Sequence, residues 1–253
     1  MEQIEERVKR YWTLRSHDFS SVRRRELEEE VSKRWLTEIR KYLPDNKTLK
    51  ILDVGTGAGF FAVLLSMEGH KVWGVDITPA MIEEAKRLSK DLSLTISFEV
   101  MDAQNLVFPD EAFDVVIARN LTWTLPEPEK AYKEWIRVLK KGGILLNFDA
   151  DYGQDVLNRE PEQEQEQEQE QEEDWVGSGC HIGMTKELLV ESNQITKSME
   201  ISQNKRPNWD LNVLQSMGNC KISCDQEAGA RILRENNGEK TPTFLIAVEK
   251  AGG

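Results

Sequence analysis

Cations are in short supply in this chain: 33 lysines and arginines stand against 45 aspartates and glutamates, a formal net charge of −12. A surface of that sign repels phosphate backbones, so nucleic acid is excluded as the natural partner. Cysteine and histidine are also scarce, with three of each. Cys180, Cys220 and Cys224 form no C-x-x-C pair, which argues against a disulfide framework or a zinc site; no metal is expected. No stretch approaches the roughly 20 apolar residues of a membrane span. The opening MEQIEERVKR also lacks the apolar core of a secretory signal. These absences predict a cytoplasmic chain with neither nucleic acid nor membrane as partner.

Much of the negative charge is concentrated in one place. Glu160 to Asp174 reads EPEQEQEQEQEQEED, with eight glutamates and no cation. Such a tract cannot bury apolar surface and repels itself, so a solvated, low-complexity acidic insertion is expected at 160–174. Without it the chain is only mildly acidic. The 253 residues leave room for one elaborated α/β domain with a sizeable core.

What the sequence does contain is ILDVGTGAGF at 51–60. Ile51, Leu52 and Val54 form a short apolar run with Asp53 just before its end, and Gly55, Gly57 and Gly59 then alternate with small residues. Glycine there lets the backbone turn tightly and lets a ligand approach the main chain. A helix of about four turns is expected from Phe61, its first amides facing that ligand. The spacing is G-x-G-x-G rather than the dinucleotide G-x-G-x-x-G, with Phe60 where the third glycine would stand. Asp53 would repel a pyrophosphate and suits a cofactor that brings its own positive charge.

A second strand, His70 to Asp76, ends in an acid about twenty residues after the first glycine, where a carboxylate can accept both hydroxyls of a ribose. Thr78 and Pro79 then read as a helix start. Ile96–Val100 reads as a third strand leading to Asp102, Phe113–Ala118 as a fourth, and Gly143–Phe148 as a fifth after a helix over 128–139. This alternation demands a parallel sheet with right-handed crossovers. Residues 1–44 carry two amphipathic stripes, read as an N-terminal helical lid (1–44) before the main domain (45–253). A helix over 209–217 and strands at 221–224 and 243–248 complete the reading.

With DVGTGAG at 53–59, GVDIT at 74–78, MDAQNLVFPDEAFDVVIARN at 101–120 and RVLKKGGILLNFD at 137–149, the chain resembles the class I S-adenosylmethionine-dependent methyltransferases. The likeness is to their small-molecule branch, typified by the ubiquinone and menaquinone C-methyltransferases. It covers roughly residues 45 to 150. It implies a three-layer Rossmann-like α/β fold: a seven-stranded, mostly parallel sheet whose antiparallel last strand inserts beside the fifth, with an insertion after the fifth strand. It implies S-adenosyl-L-methionine as cofactor and in-line methyl transfer to a small-molecule acceptor. Asp53, Gly55, Thr56, Gly57 and Gly59 would face the methionine part, Asp76 and Ile77 the ribose, and Met81, Asp102 and Ala103 the adenine, with Arg119 alongside.

In open α/β sheets the ligand sits outside the carboxyl ends of the strands. Arg119, Asn120, Thr122 and Trp123 follow the fourth strand, and Asp149, Asp151 and Tyr152 the fifth. For Arg119 and Asp149 a plain salt bridge is the alternative. Tyr11 and Arg15 are expected to fold over the cleft from the lid, and Arg206 to close it from the other side. Substrate contacts are thus expected from Tyr11, Arg15, Asn120, Trp123, Tyr152 and Arg206. Asp149, His181 and Tyr11 are the candidates for catalytic proton transfer. Two other readings stay open: a noncatalytic S-adenosylmethionine-binding module, and a nicotinamide-dependent oxidoreductase, which the glycine spacing disfavours. Monomer and homodimer are both compatible with the sequence.

Overall fold

The computed structural model describes residues 2–45, 47–158, 182–233 and 243–252. The Glu/Gln tract at 160–174, Cys180 and His181 lie outside them. In chain order the elements are α1 (Glu2–Glu28), α2 (Glu30–Arg40), β1 (Lys50–Val54), α3 (Phe60–Met67), β2 (Lys71–Asp76), α4 (Pro79–Asp91), β3 (Ser97–Val100) and β4 (Phe113–Arg119). There follow α5 (Pro128–Val138), β5 (Leu139–Asp149), α6 (Tyr152–Leu157), α7 (Lys186–Ser198), α8 (Asn208–Ser216), β6 (Cys220–Asp225), α9 (Ala228–Leu233) and β7 (Phe244–Lys250).

Successive residues of a strand point to opposite faces. Ile51 of β1 therefore enters one apolar cluster while Leu52 and Val54 enter another, and in β4 Val115 and Ile117 part from Val116 and Ala118 in the same way. A sheet apolar on both faces must be covered on both. Trp35 of α2, Phe61 of α3 and Ile82 of α4 cover one side; Tyr132 and Trp135 of α5 and Leu214 of α8 cover the other. Trp35 is almost wholly buried, edge-on to Phe61 and Phe148 with ring centroids 5.1 and 5.0 Å apart. Such pairs contribute about 0.5–1.5 kcal/mol each beyond area burial.

The sheet order is β3-β2-β1-β4-β5-β7-β6, parallel from β3 to β5. β7 runs antiparallel to both β5 and β6, as the resemblance implied. Strand order reverses between β1 and β4, so their carboxyl ends form the crevice where a ligand is received. α1 lies across that end of the sheet, packed on α4 and α7.

Two elements differ from expectation. α3 stops at Met67, because Gly69 takes a left-handed φ of 84° and turns the chain into β2. β5 begins at Leu139, four residues earlier than the apolar run suggests, pairing Leu139 with Phe113 across a register shift. Among the described residues no helix is long and apolar enough to cross a membrane.

Candidate active site

Above the carboxyl ends of β1, β2, β3 and β4 lies a cavity of about 310 Å³. Its floor is the turn after β1. Gly55 and Gly57 have φ of 65° and 52°, values that side chains disfavour. A Cβ on Gly55 would come within 2.6 Å of the Leu121 side chain. At Gly57 only the Phe19 ring, 3.4 Å away, would be met, so that backbone faces the cavity under the α1 aromatic.

Three carboxylates stand at successive strand tips on this floor. Asp53 receives the Thr56 hydroxyl at 2.6 Å and the Ala62 amide at 3.0 Å, both on Oδ2. Burial pushes its carboxyl up to about 7, against the opposing pull of those two bonds. Asp76 accepts the Gly57 amide at 3.0 Å and the Thr78 amide at 2.9 Å, tying the glycine turn to the start of α4. Burial raises its carboxyl as well. Thr78 stands at the N-cap of α4 but makes no side-chain capping bond. Asp102 takes both bonds from Gln104 on Oδ1, at 2.9 and 3.1 Å, which leaves Oδ2 for another donor.

A buried carboxyl near pH 7 is a group in want of a cation, and S-adenosylmethionine carries two, an ammonium and a sulfonium. A pyrophosphate would meet three acids. The residues present fit the former. Asp53 and the glycine turn would hold the amino-acid end, Asp76 the ribose, and Asp102 with Ala103 and Met81 the adenine. Ile77 lines the same part of the cavity. Gly59 is not in the wall; with φ of 89° it starts α3.

The lid residues reach the same cavity. Tyr11 and Arg15 of α1 line it and are themselves buried, as do Asn120, Trp123 and Tyr152 from the other side. Arg15 donates to the Ile182 carbonyl, and the Tyr11 hydroxyl lies 4.0 Å from Met184 Sδ. Asn120 has a left-handed φ of 53°, and its buried Oδ1 has no hydrogen-bond partner among the described residues. Trp123 and Tyr152 meet at a tilt of 55°, with 5.2 Å between ring centroids.

Arg119 borders the cavity with its guanidinium engaged. It donates to both carboxylate oxygens of Glu26 at 3.0 Å and lies 4.4 Å from the centroid of the Trp35 ring. Burial pushes the Glu26 carboxyl up, but Arg119 and Arg23 outweigh it and lower it to about 2. A depressed acid contributes stability above its unfolded value of about 4.3. That contribution is expected to be lost as pH falls from about 4.3 toward 2, and Glu26→Gln to remove this part of the acid denaturation curve.

Two expectations are corrected. Asp149 is fully buried outside the cavity wall, its oxygens taken by the Thr122 amide (3.0 Å) and hydroxyl, the Ala150 amide (2.8 Å) and Arg206 (3.1 Å). It cannot reach an acceptor as a base. Arg206 is equally sequestered, donating to Asp210 at 2.9 and 2.7 Å and to the Thr122 hydroxyl at 2.6 Å. The Tyr132 hydroxyl closes the network on Asp210 at 2.7 Å. It fastens Thr122, in the 3-10 turn Thr122–Thr124 that follows β4, to α8 and the end of β5. The salt-bridge alternative holds for both Arg119 and Asp149. His181 lies outside the described residues.

Sequence reasoning missed Trp12, Phe19, Arg23 and Gln104 on one side of the cavity and Leu189, Ser192 and Asn193 on another. The α1 members were legible as a 3–4 spacing from Glu5 to Arg23. The α7 members follow a tract that carries no pattern.

Residues 52–147 match the methyltransferase domain family. The phosphatidylethanolamine N-methyltransferase of Cereibacter sphaeroides is 38% identical over 111 residues, covering 41% of this chain and 53% of that protein. The ubiquinone biosynthesis O-methyltransferase of Coxiella burnetii is 32% identical over 109 residues, 42% of this chain and 47% of that one. The chain thus spans about half the length of these curated relatives. Among solved structures, a methyltransferase from Aquifex aeolicus superposes with a TM-score of 0.56 at 17% identity, over 91% of this chain and 97% of that one. The [4+2]-cyclase SpnF gives the same TM-score and identity, over 87% and 82%. Likeness at this identity concerns the fold alone.

Proposed function

We propose that this chain, whose residues 52–147 match the methyltransferase domain family, transfers a methyl group from S-adenosylmethionine to a small-molecule acceptor. The observation that supports the reading is the trio Asp53, Asp76 and Asp102 around one cavity, with the Asp53 carboxyl near 7. The cofactor when bound supplies an electrophilic methyl on a positively charged sulfur.

The protein's part is to bind, orient and exclude water. Holding two reactants in line at contact distance lowers a barrier by about 7–11 kcal/mol. α1 covers the cavity, with Tyr11, Trp12 and Phe19 forming a continuous edge-on aromatic row at centroid separations of 5.1 and 5.2 Å. Ring faces from this row and from Trp123 and Tyr152 would contribute roughly 0.5–2 kcal/mol each toward a cationic donor. Tyr11, Arg15, Asn120, Trp123 and Tyr152 are proposed to contact the acceptor, with Tyr11 and His181 as the proposed proton-transfer groups. Residues 1–44 are proposed as the lid of the domain at 45–253, in a cytoplasmic monomer or homodimer.

Asp76→Ala is expected to weaken S-adenosylhomocysteine binding at least about tenfold, through loss of a charge-assisted bond. Titration calorimetry with a folded variant measures this; unchanged affinity would mean that the ribose lies elsewhere. A panel of small hydroxyl, amine, thiol and activated-carbon acceptors, assayed for S-adenosylhomocysteine release, tests turnover itself. Binding without release across the panel would favour the noncatalytic module.

A further inference from the structure

The loop that carries Asp102, residues 102–108, is tied to α5 at several points. Trp135 Nε1 donates to the Ala103 carbonyl at 3.0 Å, and Glu134 accepts the Leu106 amide at 3.0 Å. Arg137 donates to the Leu106 and Phe108 carbonyls at 2.8 and 2.9 Å. These bonds fix the main chain of the loop. They do not fix the direction in which the Asp102 carboxylate turns.

That direction is set by Gln104, which lines the cavity and is almost completely buried. Its side-chain amide spans two partners of opposite kind. A carboxylate oxygen can only accept a hydrogen bond, and a main-chain amide can only donate one. Nε2 therefore points to Asp102 Oδ1, at 3.1 Å, and Oε1 to the Glu127 amide, at 2.6 Å. Glu127 is the N-cap residue of α5, so the glutamine is anchored to a helix packed on the sheet. Its own main-chain amide adds a second donor to the same Oδ1, at 2.9 Å. Turning the carboxylate about its Cβ–Cγ bond would strain both bonds at once. Oδ2 is the oxygen left for a ligand.

We infer that Gln104 is a positioning residue that acts through Asp102. It holds the carboxylate so that Oδ2 meets the 6-amino group of the purine, and it thereby sets the preference of the site for a 6-aminopurine over a 6-oxopurine. A 6-oxo group would bring an oxygen against an oxygen that cannot turn away. This inference rests on the methyltransferase reading, which puts the adenine of the donor at Asp102.

The test is titration calorimetry on the full chain with S-adenosylhomocysteine and with S-inosylhomocysteine, its 6-oxo analogue. The parent is expected to bind the first at least about tenfold more tightly. Gln104→Met keeps roughly the same volume but has no amide. It should lower that ratio at least about fivefold, as the released carboxylate turns toward the ring N–H that only the oxopurine offers. Loosening of the loop alone would weaken both ligands alike and leave the ratio unchanged. Asp102→Ala removes the group through which Gln104 acts, so adding Gln104→Met to it should change neither affinity more than about twofold. Gln104→Glu serves if the methionine variant fails to fold. It keeps the bond from Glu127 and sets a second carboxylate against Asp102, which should lower the ratio by at least as much. An unchanged ratio in a folded variant, or an equal loss of affinity with and without Asp102, overturns the role of Gln104. A parent that binds neither ligand, or an Asp102→Ala variant that binds both as the parent does, overturns instead the placement of the purine at Asp102.

Discussion

Arg206→Ala is expected to lower the unfolding free energy by about 3–5 kcal/mol, the range for removing one partner of a buried ion pair. The guanidinium serves Asp210, Asp149, the Thr122 hydroxyl and the Ala150 carbonyl at once, and it is almost completely buried. Burial alone would disfavour its charge; Asp149 and Asp210 outweigh that and hold it protonated far above the ordinary arginine value. Without it, two carboxylates remain in the interior with no cation. At this chain length each kcal/mol corresponds to about 2–4 °C in Tm, so a fall of order 10 °C is expected in a thermal scan. The readout separates two roles. A residue that contacted substrate would change KM with little effect on Tm. Arg206, which fixes the 3-10 turn after β4, should do the reverse at temperatures where the variant is folded.

Asp53→Asn is expected to act in the opposite direction. Both of Asp53's hydrogen bonds fall on Oδ2, so an asparagine oxygen can receive the Thr56 hydroxyl and the Ala62 amide unchanged while the charge is lost. The acid's folded value of about 7 lies above its unfolded value of about 3.9. The folded state therefore holds the proton more tightly, and this group lowers stability as pH rises from about 4 to about 7, after which the cost is constant. The donor-free variant should be more stable than the parent by roughly 3–5 kcal/mol above pH 7, with the gain shrinking toward pH 4. The same change should weaken S-adenosylhomocysteine at least about tenfold, because the partner of the ammonium is gone. In the parent, affinity should fall as pH drops below about 7, and in the variant this dependence should vanish. Denaturant titration at pH 5 and pH 8, with and without ligand, measures all of this. A variant that binds as tightly as the parent would remove Asp53 from the donor site. This is the trade between stability and function expected where a charge is kept buried for a ligand.

How much was legible in advance follows from how local each feature is. Asp53, Asp76 and Asp102 were found because each ends an apolar run, and strand ends are marked by the residues that carry them. The glycine turn was found for the same reason, since positive φ restricts a position to glycine within a few residues of a strand. Asp149 read as a catalytic group because it too follows a strand. Its partners Thr122, Arg206 and Asp210 are far away in sequence and only the packing of α8 on the sheet beside β6 brings them together. Arg119 likewise met Glu26 across 93 positions of chain.

The amino-acid sequence determined by itself the order of strands and helices as far as β5 and the class of cofactor pocket. Both are written in period-two apolar runs, turn glycines and the acids that end strands, all of which act over a few residues. The tertiary structure decided which charges face the ligand and which are sealed in pairs, and how far the cavity extends under α1. Those outcomes depend on groups distant in sequence competing for the same partner, and burial settles that competition only once the helices have closed over the sheet.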